Sequence, residues 1–220
     1  MVDPLAEIGF QSAKKTSQLI STGFQMMGYA GKRIGFQLSV RDVNETGAFD
    51  SVRIDNTLMG FNRKQTTSKN LLSYSQFNAN LSYRFNKGMI TVGQDQHVLG
   101  YGKTGNLVMS AKAPSYPFYR LQYHPTKWLS VNYMHAWLQS GVMDSIKAYG
   151  TGNTVYGGNR ETFIPKFYAI HFVEVKPMKG LSLHLGESIM YTDIIEPAYL
   201  MPVTFFKAYD NNKYNDKITT

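Results

Sequence analysis

Gln76-Phe77-Asn78-Ala79-Asn80-Leu81-Ser82-Tyr83-Arg84-Phe85 alternates polar and apolar residues throughout and runs into Asn86-Lys87-Gly88. A period of two sets Phe77, Ala79, Leu81, Tyr83 and Phe85 on one face of a strand and Gln76, Asn78, Asn80, Ser82 and Arg84 on the other. Asn86-Lys87-Gly88 is a hairpin turn, its glycine free to take positive φ, and Met89 to Val98 returns as the partner strand. Upstream, Ile34, Phe36, Leu38 and Val40 oppose Arg33, Gly35, Gln37, Ser39 and Arg41. Ile20 to Ala30 repeats the pattern more weakly, Gly31-Lys32 turns it, and Leu5 to Ser12 reads as a further short strand. Downstream strands are expected at Pro117 to His124, Trp128 to Ser140, Lys166 to Lys176 and from Leu181, with turns at Pro125-Thr126-Lys127 and Pro177 to Gly180. Glu187 falls on the face of Leu181, Leu183 and Leu185, so a bulge at Gly186 is expected to re-aim it.

The loops between these strands are unequal. Short turns at Gly31, Lys87, Thr126 and Met178 alternate with long segments at Asn44 to Asn70, Leu99 to Tyr116 and Gly141 to Phe163. Transmembrane barrels share that asymmetry, with short periplasmic turns and long external loops. On this reading Lys32, Lys87, Lys127 and Lys179 face the periplasm. Aromatics near the strand ends, Tyr83, Phe85, Tyr123 and Trp128 on one side and Tyr74, Tyr116, Phe118, Trp137 and Phe167 on the other, fit two interfacial girdles. A soluble antiparallel sheet covered by a second sheet is the competing architecture.

Composition narrows the chemistry. With 43% hydrophobic residues, 220 residues can bury one core, and no linker composition interrupts 1–220, so a single domain is expected. Lys and Arg exceed Asp and Glu by 23 − 15 = 8, which suits an anionic partner, but the basic residues are scattered singly and form no stripe for nucleic acid. The absence of cysteine removes disulfides, thiolate metal sites and a thiol nucleophile. No run of about 18 apolar residues makes a membrane helix, so any membrane role falls to strands. Met1-Val2-Asp3-Pro4 lacks the features of a leader, which suggests removal of one or a start partway through a longer protein.

Nucleotide loops are excluded by their surroundings. Gly100, Gly102 and Gly105 match G-x-G-x-x-G, but Pro114 and Pro117 stand where the phosphate-binding helix would follow. Gly102-Lys103-Thr104 imitates the end of a Walker A loop, yet His97 occupies the position of its first glycine.

Gly100-Tyr101-Gly102, Asn106 to Ser110, Ala113-Pro114, Gly186-Glu187-Ser188-Ile189, Pro197 to Val203 and the pair Phe205-Phe206 together resemble the Wzi-like capsule-assembly family of outer-membrane barrels. The resemblance covers most of the chain. It implies an all-β, antiparallel, porin-like transmembrane β-barrel in the outer membrane, contacting lipid and holding capsular polysaccharide at the cell surface. Family members are longer, which implies that this chain is a partial barrel. A porin-like diffusion channel is the alternative function.

Glycan binding draws on the long loops, where Tyr101, Tyr116, Trp137, Tyr149 and Tyr156 offer ring faces and Lys103, Asn106, Lys112, Asn153 and Arg160 offer donors. Apolar Leu107, Val108 and Met109 are expected to fold the central loop into a barrel mouth. His171 and His184 are weighed as a two-histidine metal site, but no third ligand is evident, and no metal or cofactor is called for. Ser110 with His97 or His135 lacks a nucleophile elbow, and Asp95, Glu161, Glu174, Glu187 and Glu196 show no spacing that pairs two carboxylates, so no enzyme activity is expected.

Overall fold

The computed structural model describes residues 1–12, 16–47, 66–68, 71–100, 106, 108–109, 114–150, 158–160 and 162–214. The chain divides into two compact units, Met1–Pro117 and Phe118–Thr220.

In the first unit, β1 (Val2–Ser12), β2 (Thr16–Ala30), β3 (Ile34–Gly47), β5 (Leu71–Phe85) and β6 (Gly88–Asp95) form an antiparallel meander, with the short β4 (Thr66–Ser68) paired to β5. The register places Phe24, Val40 and Phe77 in one cross-strand row, Phe36, Leu81 and Val92 in another, and Ile34, Tyr83 and Ile90 in a third. These rows make one apolar face, and it is open: Leu81 is 51% exposed and Phe10, on the same face of β1, 74%. The opposite face is polar and more withdrawn. Ser21 and Glu45 are buried there, the Arg41 guanidinium pairs with Glu7 at 3.1 Å, and the Asn80 amide donates to Asp95 at 2.5 Å. A soluble sheet buries its apolar face, so this unit is patterned inside out.

Several strand boundaries differ from the sequence reading, two of them where a loop was expected. The stretch from Asn44 was expected to be loop, but β3 continues to Gly47 because its polar residues have cross-strand partners: the Tyr74 hydroxyl donates to Glu45 at 2.9 Å, and Val43 is buried beside Tyr74. Gly141 was expected to open a loop but lies inside β8, at φ 68.

The second unit pairs β7 (Tyr116–Tyr123), β8 (Leu129–Met143), β11 (Phe163–Met178) and β12 (Leu181–Thr192) in that order, with a separate small hairpin of β9 (Tyr149–Gly150) and β10 (Asn159–Arg160). After β12 a 3₁₀ turn, Pro197–Leu200, leads to α1 (Phe206–Tyr214). Proline at the first position of that turn lacks only an amide that would go unpaired anyway. Tyr133, Ala169, Tyr199 and Phe206 form its buried core, so the segment after β12 is packed onto one face of the sheet. Among the described residues β1 pairs only with β2 and β12 only with β11, so the sheet is not closed.

The register of β11 with β12 runs unbroken from Lys166–Thr192 to Val175–Leu183, and its irregularity falls between Val175 and Met178. The expected bulge at Gly186 is therefore absent. Gly186 is needed for a different reason, since a Cβ there would stand 2.2 Å from the His171 carbonyl oxygen and 2.7 Å from Phe172 Cα.

Candidate functional site

Glu187 stays on the face that alternation assigns to it and finds its partners there. Its Oε1 accepts the Phe206 amide at 2.6 Å and its Oε2 the Lys207 amide at 3.3 Å, while His171 Nε2 lies 3.1 Å away. A carboxylate on the first amides of a helix satisfies orphan donors and faces the positive end of the dipole. Glu196 accepts the Tyr209 hydroxyl at 2.6 Å and pairs with Lys213, so a second carboxylate holds the other end of the nine-residue helix. Under the turn, Tyr133 donates to the Tyr199 carbonyl at 2.5 Å and Tyr119 to the Leu200 carbonyl at 2.6 Å.

His184 belongs to another environment. It faces Glu174 across the hairpin, and Glu174 also accepts the hydroxyls of Ser182 at 2.7 Å and Ser130 at 3.1 Å. His171 and Glu174 are three residues apart in an unbroken ladder, so His171 and His184 occupy opposite faces of the sheet. That geometry separates the two histidines that were weighed as sharing one face. Glu174 and Glu187 are likewise on opposite faces and cannot flank one glycosidic bond. No group of three potential metal ligands occurs among the described residues.

The glycan candidates separate. Tyr101, Lys103, Lys112, Tyr156 and Asn153 lie outside the described residues, as do Leu107, Ser110 and Glu161, and Asn106 is partly buried. Tyr116 is 4% exposed; its hydroxyl accepts the His97 amide at 3.1 Å and contacts Met109 Sδ at 2.8 Å. Leu99 and Met109 exchange backbone bonds of 3.0 and 3.1 Å, so Tyr116 braces the base of the central loop and presents no open ring. Val108 beside it is 47% exposed, not tucked in. Trp137 packs edge-on to the fully buried His135 at 4.6 Å, whose Nε2 bonds the Tyr191 hydroxyl at 2.8 Å. Among the described candidates, Tyr149 and Arg160 are brought together: they face each other in β9–β10, both exposed, with Arg160 Nη1 donating to the Tyr149 hydroxyl at 3.4 Å. Asp144 anchors the stem of this hairpin by accepting the amides of Ile146 and Lys147 at 3.2 and 3.3 Å.

An exposed ring beside a guanidinium offers an apolar surface and a fork of donors, the pairing suited to a hydroxylated or carboxylated sugar. No family model matches this chain, and no curated protein or solved structure matches it either.

Proposed function

We propose that the chain contributes strands to a transmembrane antiparallel β-barrel of the outer membrane that holds surface polysaccharide without transforming it. The observation that carries the proposal is the inside-out first unit, whose exposed rows of Phe, Leu, Val and Ile back a polar face of Arg41, Glu7, Asn80 and Asp95. The apolar rows run from Ile34 to Val40, about 20 Å at ~3.4 Å per residue, against the ~25 Å apolar band of such barrels. Beyond Val40 that face turns polar, where Ser75 donates to Asp42 at 2.5 Å and Ser73 to Asn44 at 2.9 Å. Polysaccharide attachment is supported by the exposed Tyr149–Arg160 pair and by the resemblance to capsule-assembly barrels.

A diffusion channel is the second reading, favoured by the charged residues on the withdrawn face. Planar-bilayer conductance and cell-bound polysaccharide, measured in parallel, separate the two. Attachment predicts low conductance and loss of cell-bound polysaccharide when 100–110 are deleted. Large steady conductance with unchanged retention leaves the channel.

A further inference from the structure

A cleft of about 380 Å³ opens between the end of β12 and α1, within the ~300–1,000 Å³ range of ligand sites. Tyr191 supplies its aromatic wall, with the buried Tyr199 packed behind it, and Asp193, Glu196, Asp210 and Lys213 its polar one. Three of its carboxylates are not equivalent. Glu196 is occupied by Tyr209 and Lys213, and Asp210 accepts the Tyr199 hydroxyl. The Asp193 carboxylate has no hydrogen bond or ion pair among the described residues. Asp193 is also the one described residue other than glycine at positive φ, 78°, a conformation that Asp and Asn tolerate best.

Register locates the cleft. Thr192 pairs with Lys166 near the start of β11, so the cleft lies at the long-loop end of β11 and β12, away from the Gly180 turn. Under the proposed function, on which this inference rests, that end faces the surface polysaccharide.

We infer that this cleft is a saccharide subsite selective for neutral or amino sugars. Sugar hydroxyls and ammonium groups donate to carboxylates, and the apolar face of a pyranose can lie against the partly exposed Tyr191. Three carboxylates against one ammonium repel a uronate, so this subsite selects the opposite charge to the one that the chain's overall +8 invites. Metal chelation is the weaker use, because no set of three ligands converges here. A peptide strand adding to the β12 edge is the competing occupant.

The test titrates the full chain in detergent micelles, by calorimetry, with glucosamine hexamer, maltohexaose, galacturonate hexamer and an uncharged extended peptide. Asp193→Asn keeps the residue type that positive φ tolerates while removing the charge. Saturable binding of glucosamine hexamer, about tenfold weaker in D193N at an unchanged unfolding midpoint, and no binding of galacturonate is the expected result. Tightest binding by galacturonate, binding by the peptide alone, or equal glucosamine affinity in D193N and the parent overturns the subsite. Cell-bound polysaccharide, assayed in the same D193N strain and in a deletion strain, keeps the two ideas apart. If no saccharide binds in the micelle but retention still requires the protein, the subsite fails and attachment stands; if retention is unaffected by deleting the protein, attachment fails.

Discussion

Glu187 and Phe206 lie 19 residues apart, and the carboxylate of the first accepts the amide of the second at 2.6 Å, so a strand residue serves as the cap of a helix that comes later in the chain. Glu187→Ala removes that cap and leaves the Phe206 and Lys207 amides unpaired. A loss of about 1–2 kcal/mol in α1 docking is expected. Hydrogen exchange reads it as faster exchange across 206–214 with β8 and β11 unchanged; uniform protection in the variant would show the cap to be idle.

Docking of α1 also depends on pH. The hydrogen bonds from Lys213 and then Tyr209 hold the Glu196 carboxyl below its usual range. A depressed folded-state value stabilises the docked form above the unfolded value, about 4.3, and that contribution disappears as pH falls through the folded value. Tyrosine fluorescence of the parent should report release of α1 on acidification below pH ~4, and Glu196→Gln should flatten that limb of the profile.

Close strand approach makes three glycines, Gly23, Gly93 and Gly186, intolerant of a methyl group. At Gly23 a Cβ would stand 2.1 Å from the Val40 carbonyl oxygen and 2.8 Å from Arg41 Cα, whereas at Gly158 nothing lies within 4 Å. Gly23→Ala and Gly186→Ala should each destabilise by about 1–3 kcal/mol and Gly158→Ala by almost nothing, measured by urea unfolding from micelles.

The inside-out pattern gives a prediction of its own. Leu81→Arg, at the middle of the apolar rows, should destabilise insertion into lipid vesicles by about 2–4 kcal/mol, and Gln37→Arg on the other face by far less. Equal effects of the two, or a monodisperse detergent-free monomer with native circular dichroism, contradict the membrane assignment.

Face assignment was legible in the sequence because a period of two survives wherever one side is apolar: Phe77, Leu81 and Tyr83 stand where alternation puts them. Strand ends near the long loops were not. Asn44 and Glu45 look like loop residues until Ser73 and Tyr74 arrive to bond them. Helix α1 was missed because Phe206 to Tyr214 has little apolar periodicity and takes its cap from β12. Among the site residues, the pairing of Tyr149 with Arg160 is set by a hairpin register that neither residue signals alone, and Tyr116 is buried because an aromatic beside a loop can brace it as readily as face solvent. Asp193, Glu196, Asp210 and Lys213 converge only through tertiary packing, which no linear spacing reports.

At the β2–β3 hairpin the Phe36 ring covers Gly28, reaching within 2.7 Å of where a Cβ would stand, and its neighbour Tyr29 lies 3.5 Å from the same point on Gly35. The two ring-over-glycine pairs lie on opposite faces. Sliding the pairing by one residue in one direction sets Phe36 against Tyr29, and in the other sets Gly35 against Gly28, so both rings lose their seats together. The two seats thus mark one register against its neighbours: a slip of one residue sets either ring against ring or glycine against glycine, and the native pairing alone gives each ring a glycine to cover.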